Sequence, residues 1–211
     1  MLYHAYDMQR SMLAGFGTWA GIGARMLGNA GAPAAYLGGG PVLASALSVF
    51  AHAAAPYGKP RFNLPTADVD GVAVAVREEI VVERPFGNLL HFAKDGVGDQ
   101  PRLLIVAPMS GHYATLLRGT VERMLPGHDV YITDWADAKT VPLSAGAFDL
   151  DDYIDYVIDF LDHIGPGAHM LAVCQPSVPC LAAVAVMNAD KHRATPRTLT
   201  MMGGQIGRAH V

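Results

Sequence analysis

"HMLAVCQPSVPCLAAVAVMNA", His169 to Ala189, opens as an apolar run, breaks at Cys-Gln-Pro-Ser and resumes with helical spacing. A short continuous apolar run bounded by a break is the mark of a strand buried on both faces. Pro176 and Pro179 fall in the first turn of the second run, where a helix tolerates proline. The stretch therefore predicts a strand over 168–173, a helix over 176–189, and Cys174 on the corner between them. The chain has only 2 cysteines, so the placement asks for a reason.

The flanking sequence repeats the same alternation. "VAVAVREEIVVER" from Val72 is rich in Val and predicts a strand, with "FGNLLHFAK" (86–94) as its hairpin partner. "RLLIVAP" (102–108) and "DVYITDW" (129–135) read as buried strands. "YATLLRGTVERML" (113–125) has helical period and stops at Pro126-Gly127. "DLDDYIDYVIDFLDHIG" (149–165) places Ile154, Val157, Ile158 and Leu161 on one helical face. Its acidic start suits a helix N-terminus, and Gly165 suits the C-cap. "RTLTMMGG" (197–204) opens the next strand. A hairpin followed by alternating strands and helices predicts an α/β fold, with a mostly parallel sheet covered by helices on both faces. Ligands of such sheets bind outside the carboxyl ends of the strands, and Cys174 stands at one of those ends.

A residue held in the tight turn between strand and helix projects above the sheet edge. The helix N-terminus beneath it favours negative charge, and the backbone N–H of the next residue can donate to an oxyanion. This is the nucleophile elbow, usually G-x-S-x-G. Here the frame reads Ala172-Val173-Cys174-Gln175-Pro176. Small residues two places either side let strand and helix pack closely. Alanine does this, and proline fits a first helical position. A buried structural cysteine is the plain alternative.

Acyl transfer needs a second oxyanion donor, which this architecture takes from the loop before its first helix. That loop is "APMSGHYAT" (107–115), with the N–H groups of Met109 or Ser110 as candidates beside that of Gln175. An ordinary helix-start turn capped by Ser110 explains the same letters. The order in this architecture is nucleophile, acid, histidine. After Cys174 the chain offers Asp190 and His192, both in a helix-to-strand connection at the wrong end of the sheet. His112, His128, His163 and His169 precede the corner and read as surface or cap residues. Cys180 reads as core.

Ahead of the sheet, residues 1–28 carry Leu2, Tyr6, Met12 and Leu13 at helical spacing. "GNAGAPAAYLGGGP" (28–41) is a Gly/Ala/Pro linker, and "VLASALSVFAHAAA" (42–55) predicts a second helix. The expected division is a helical extension and linker over 1–65 and a partial α/β domain over 66–204. The tail "QIGRAHV" (205–211) resembles translated sequencing-adapter sequence, so it is read as non-native and the chain as truncated near Gly204.

Composition narrows the function classes. The chain of 211 residues is 51% hydrophobic with a net charge of −4, so it has no basic footprint for nucleic acid. No run reaches the roughly 18 apolar residues of a spanning helix. The start "MLYHAYDMQR" lacks the pattern of a secretory signal. Few cysteines and no signal lead us to expect a reduced, cytoplasmic compartment.

Three stretches carry a resemblance. "MLYHAYDMQRSMLA" at the start, "LLIVAPMSGHYATLLRGTVERMLPGHDVYITDWADAKTVPLSAGAFDLDDYIDYVIDFL" in the middle and "AVCQPSVPCLAAVA" at the corner resemble the intracellular polyhydroxyalkanoate (polyhydroxybutyrate) depolymerases of bacteria. The resemblance implies an α/β-hydrolase fold with a cysteine nucleophile at Cys174. It implies a substrate stored as a cytoplasmic polyester granule, with the granule surface as partner. Water or coenzyme A thiol would be the acyl acceptor, and no metal or bound cofactor is needed. The family's acid and histidine lie further along, and no position here matches them, so this chain is expected to be inactive alone. Rival readings are a polyhydroxyalkanoate synthase, whose elbow keeps glycines where Ala172 and Pro176 stand, and a non-catalytic granule-surface binding protein.

Overall fold

The computed structural model describes residues 2–29, 39–55, 58–109 and 113–204. The expected tail over 205–211, and Ser110 and His112, lie outside them. The chain divides into two compact units, Met1–Gly58 and Lys59–Val211.

The first unit is a pair of helices, α1 (Leu2–Gly28) and α2 (Gly40–Ala54). They run antiparallel: Gly17 faces Ala54, Gly21 faces Ala51, and Gly28 faces Ala44. A Cβ added at Gly17 would stand 2.8 Å from the Ala54 Cβ, so the backbones approach closely only because a hydrogen replaces a methyl there. The buried residues are the small ones, Gly17, Ala20, Gly40 and Ala44. Tyr6, Met12 and Leu13, whose spacing predicted the helix, are exposed instead. Helical period was the right signal, but the interface selected residue size over hydrophobicity. No helix among the described residues is long and apolar enough to cross a membrane.

The second unit is built on a seven-stranded sheet. Its strands are β1 (Thr66–Val69), β2 (Val72–Val82), β3 (Gly87–Lys94), β4 (Arg102–Val106), β5 (Asp129–Trp135), β6 (His169–Val173) and β7 (Thr198–Met202). The order across the sheet is β1-β2-β3-β5-β4-β6-β7. β1 to β3 are antiparallel to their neighbours, and the pairings β5–β4, β4–β6 and β6–β7 are parallel. An antiparallel entry, a parallel remainder and the exchange of β4 and β5 make this an α/β-hydrolase fold, as expected. β1 was not expected. Its turn, Asp70-Gly71, has φ values of 52° and 83°, and Asp-Gly is the dipeptide such two-residue hairpins favour.

Between the strands lie a 3-10 turn (Ala114–Leu117), α3 (Arg118–Met124), α4 (Leu150–Ile164) and α5 (Ser177–Ala189). The run 113–125 thus splits into a tight turn and a short helix. α4 starts on a capping box. The Asp149 carboxylate accepts from the N–H groups of Asp151 and Asp152, and the Asp152 carboxylate accepts from the Asp149 N–H. It stops at Gly165, whose φ of 89° favours glycine.

Alternate residues of the central strands enter opposite cores. Leu104, Val106, Met170 and Ala172 pack with Val157, Phe160 and Leu161 of α4 and with Cys180 and Ala183 of α5. Leu103, Ile105, Ile132 and Leu171 pack with Val121 of α3 and with Phe62 and Leu64. Each buried Val, Leu, Ile, Phe or Met among them contributes about 1.5–3 kcal/mol, which is why these strands read as unbroken apolar runs. Phe62 and Leu64 belong to this core although they precede Pro65, the expected boundary. Arg118 donates to the Phe62 carbonyl at 2.7 Å, and Lys59 pairs with the buried Asp134. The segment 59–65 is therefore packed with the sheet and is not linker.

Candidate active site

The corner at the end of β6 has the expected shape. β6 ends at Val173, α5 begins at Ser177, and Cys174 between them has a φ of 66°. A side chain there costs about 1–2 kcal/mol relative to right-handed backbone. The neighbours hold it in place. The Cys174 N–H donates to the Met202 carbonyl of β7 at 2.8 Å, and its carbonyl accepts from the Ser177 N–H at 3.2 Å. Ala172 is fully buried, and Pro176 has a φ of −58° at the helix start. These are the roles that glycine usually fills in the elbow.

Cys174 is half-buried and Cys180 is buried, and both thiols are free. Burial pushes the Cys180 thiol up to about 12, so it stays protonated and unreactive at neutral pH. Only Cys174 stands where a substrate could reach it.

The strand across from the corner ends at the candidate oxyanion loop. Ala107, fully buried, is clamped on both polar groups by β5. Its N–H donates to Thr133 Oγ1 at 2.9 Å. Its carbonyl accepts from Trp135 Nε1 at 2.8 Å, with the Tyr153 hydroxyl 3.5 Å away. Burial, followed by the neighbouring Cys180, raises the Tyr153 pKa and keeps the phenol a donor. Trp135 is wedged among Phe148, Tyr153, Tyr156 and Phe160. Past the clamp, the Met109 N–H donates to the side-chain oxygen of Gln175 at 3.0 Å. The two ends of the proposed oxyanion site are thus bonded to each other. No acceptor among the described residues takes the Gln175 N–H. The clamp escaped sequence reading, since "YITDW" displays only strand character. Gln175 was noted for its backbone, and nothing in the letters announced its side chain.

No side chain among the described residues hydrogen-bonds the Cys174 sulfur. The described histidines of the sheet unit make no bond to it. His91 Nε2 meets Asp129 Oδ1 at 2.6 Å, and His91 stacks on Tyr131. His128 meets the Met124 carbonyl, and His169, opening β6, meets Thr198 Oγ1. His163 is exposed near the end of α4. His192 lies 3.4 Å from Asp162 in the connection from α5 to β7, and Asp190 caps the end of α5. Asp190 and His192 thus lie in the helix-to-strand connection, away from the corner.

No protein-family model matches the chain, and no curated protein matches it. Among solved structures it is similar to the carboxylesterase CesB (YbfK) from Bacillus subtilis, with TM-score 0.40 and 17% identity over 61% of this chain and 42% of that one. It is also similar to a CIB-like hydrolase from Thermoplasma acidophilum, with TM-score 0.39 and 11% identity over 62% and 64%. A third is brefeldin A esterase, a bacterial homologue of human hormone sensitive lipase, with TM-score 0.40 and 12% identity over 68% and 42%. The chain spans less than two thirds of the length of each. The fold assignment stands on the strand order and the Cys174 corner themselves.

Proposed function

We propose that this chain belongs to an ester hydrolase acting on stored poly(3-hydroxyalkanoate), mainly polyhydroxybutyrate, through a cysteine acyl-enzyme. The observation that carries the catalytic part is Cys174 itself, a non-glycine residue held at φ 66° between β6 and α5. Such strain gathers at functional sites. The substrate class comes from the sequence resemblance. A histidine base takes the Cys174 thiol proton, Sγ attacks the ester carbonyl to form a thioester, and the released alkoxide takes that proton back from the imidazolium. The N–H groups of Gln175 and of Met109 or Ser110 hold the oxyanion. Water or coenzyme A thiol then releases the hydroxyacyl unit. No described residue supplies the base, and general-base catalysis is worth about 10²–10⁴ in rate.

The first unit is assigned to the granule surface. Met8, Phe16 and Trp19 of α1 are 65%, 63% and 74% exposed, which suits contact with an apolar polyester. Deleting 1–58, which leaves Phe62 and Leu64 in the core of the sheet, should weaken binding to amorphous granules, and unchanged binding would remove this part of the reading.

The central test is release of 3-hydroxybutyrate from amorphous granules by the whole protein. Cys174→Ala should abolish it. Release that survives this change rejects the nucleophile. Granule binding without any release favours a binding protein, and polymer made from 3-hydroxybutyryl coenzyme A favours a synthase.

A further inference from the structure

We propose that Gln175 occupies its own oxyanion site in the free protein, its carboxamide oxygen taking the place of the incoming substrate carbonyl. This rests on the reading of Cys174 as nucleophile and concerns a separate atom. An oxyanion-hole donor sits about 2.7–3.1 Å from the oxygen it stabilises. Met109 N–H already has a carbonyl oxygen at 3.0 Å, and that oxygen is Gln175 Oε1. The side chain springs from the residue directly after Cys174. An N–H donor requires an oxygen acceptor, which settles the orientation of the carboxamide. Gln175 is exposed, so swinging out into water sacrifices no packing. An acyl substrate enters by exchanging its carbonyl oxygen for that of Gln175, and the backbone N–H of Gln175 remains as the second donor.

The probe is a simple alkyl trifluoromethyl ketone titrated into the chain and followed by fluorine NMR. The Cys174 sulfur forms a bond to the carbonyl carbon, the C=O pair moves onto oxygen, and the thiol proton passes to solvent. The adduct therefore needs the oxyanion site but no leaving group and no acid. Gln175→Ala removes the competing oxygen and should tighten the adduct by up to about tenfold, the size of one hydrogen bond. Gln175→Glu offers a stronger, charge-assisted acceptor and should weaken it by at least as much. The expected order of adduct strength is Ala, then Gln, then Glu. If Gln175 only braced the Met109 loop, Ala would weaken the adduct and Glu would preserve it, and that order overturns the proposal. Hydrogen exchange of the Met109 amide, followed with nitrogen-15 methionine, is the second measurement. It should accelerate in Gln175→Ala, and equal exchange in the two proteins also overturns the proposal. The nucleophile reading fails by a different result: Cys174 alkylated by iodoacetamide no faster than Cys180. In that case the proposal falls with the nucleophile, and Met109 exchange reports only the bond to Gln175.

Discussion

The indole of Trp135 donates to the Ala107 carbonyl at 2.8 Å, and this bond ties the end of β4 to the end of β5 just before the candidate oxyanion loop. Ala107 is fully buried, and its N–H is taken by Thr133. β5 side chains thus bond both polar groups of one buried residue, and the Tyr153 hydroxyl of α4 adds a longer bond to its carbonyl. Thr133→Val leaves that N–H without an acceptor and should cost about 1–3 kcal/mol. Trp135→Phe leaves the carbonyl only the longer 3.5 Å bond from the Tyr153 hydroxyl and opens a gap among the aromatic rings, for about 2–4 kcal/mol. The two effects should be non-additive because they meet on Ala107. Urea unfolding of both single variants and the double variant measures this.

Strain at Cys174 separates from its chemistry. Cys174→Ala and Cys174→Gly both remove the thiol, but only glycine adopts a φ of 66° without penalty. Cys174→Gly should be the more stable by about 0.5–1 kcal/mol, after the extra backbone entropy of glycine is deducted. Equal midpoints in thermal unfolding would show an unstrained corner.

Ser177 and Gly204 form a second pair under the corner. Ser177 is fully buried and its hydroxyl has no partner among the described residues. A Cβ added at Gly204 would lie 2.4 Å from Ser177 Oγ. Ser177→Ala should be neutral or stabilising, since it deletes an unpaired polar atom. Gly204→Ala should destabilise, and less so when Ser177 is already alanine. A double-mutant cycle on unfolding free energy reads the coupling, and zero coupling contradicts the close approach.

The cluster at the opposite end of the sheet carries the pH dependence. Burial alone would raise the Asp129 carboxyl, but hydrogen bonds from His91 and Tyr131 and the charges of His91 and Lys94 outweigh it. Its pKa lies below the ordinary carboxylate value. A depressed folded pKa stabilises above the unfolded pKa and loses that contribution as pH falls through the folded value. Wild-type stability should thus decline below about pH 4, and Asp129→Asn should decline less over that range. Thermal midpoints measured from neutral pH down into strong acid test it, and parallel curves would remove Asp129 from the account.

The sequence by itself determined the elements and the corner. Alternating apolar runs and helical periods located the strands from Val72 to Met202. Asp149 and Gly165 marked the ends of α4, and the break at Cys174 stood where a strand meets a helix. These are local signals, written within one or two turns of chain. Only the tertiary structure decided what those elements do to each other. β5 inserts between β3 and β4. Phe62 is drawn into the core ahead of the expected boundary. α1 buries Gly17 and Ala20 while exposing Met12. The bond from Met109 to Gln175 joins residues 66 apart, and the Trp135–Ala107 bond spans 28. Periodicity records which face of an element is apolar, but not which distant peptide that face will meet. Such contacts arise only when packing brings the strand ends to one edge.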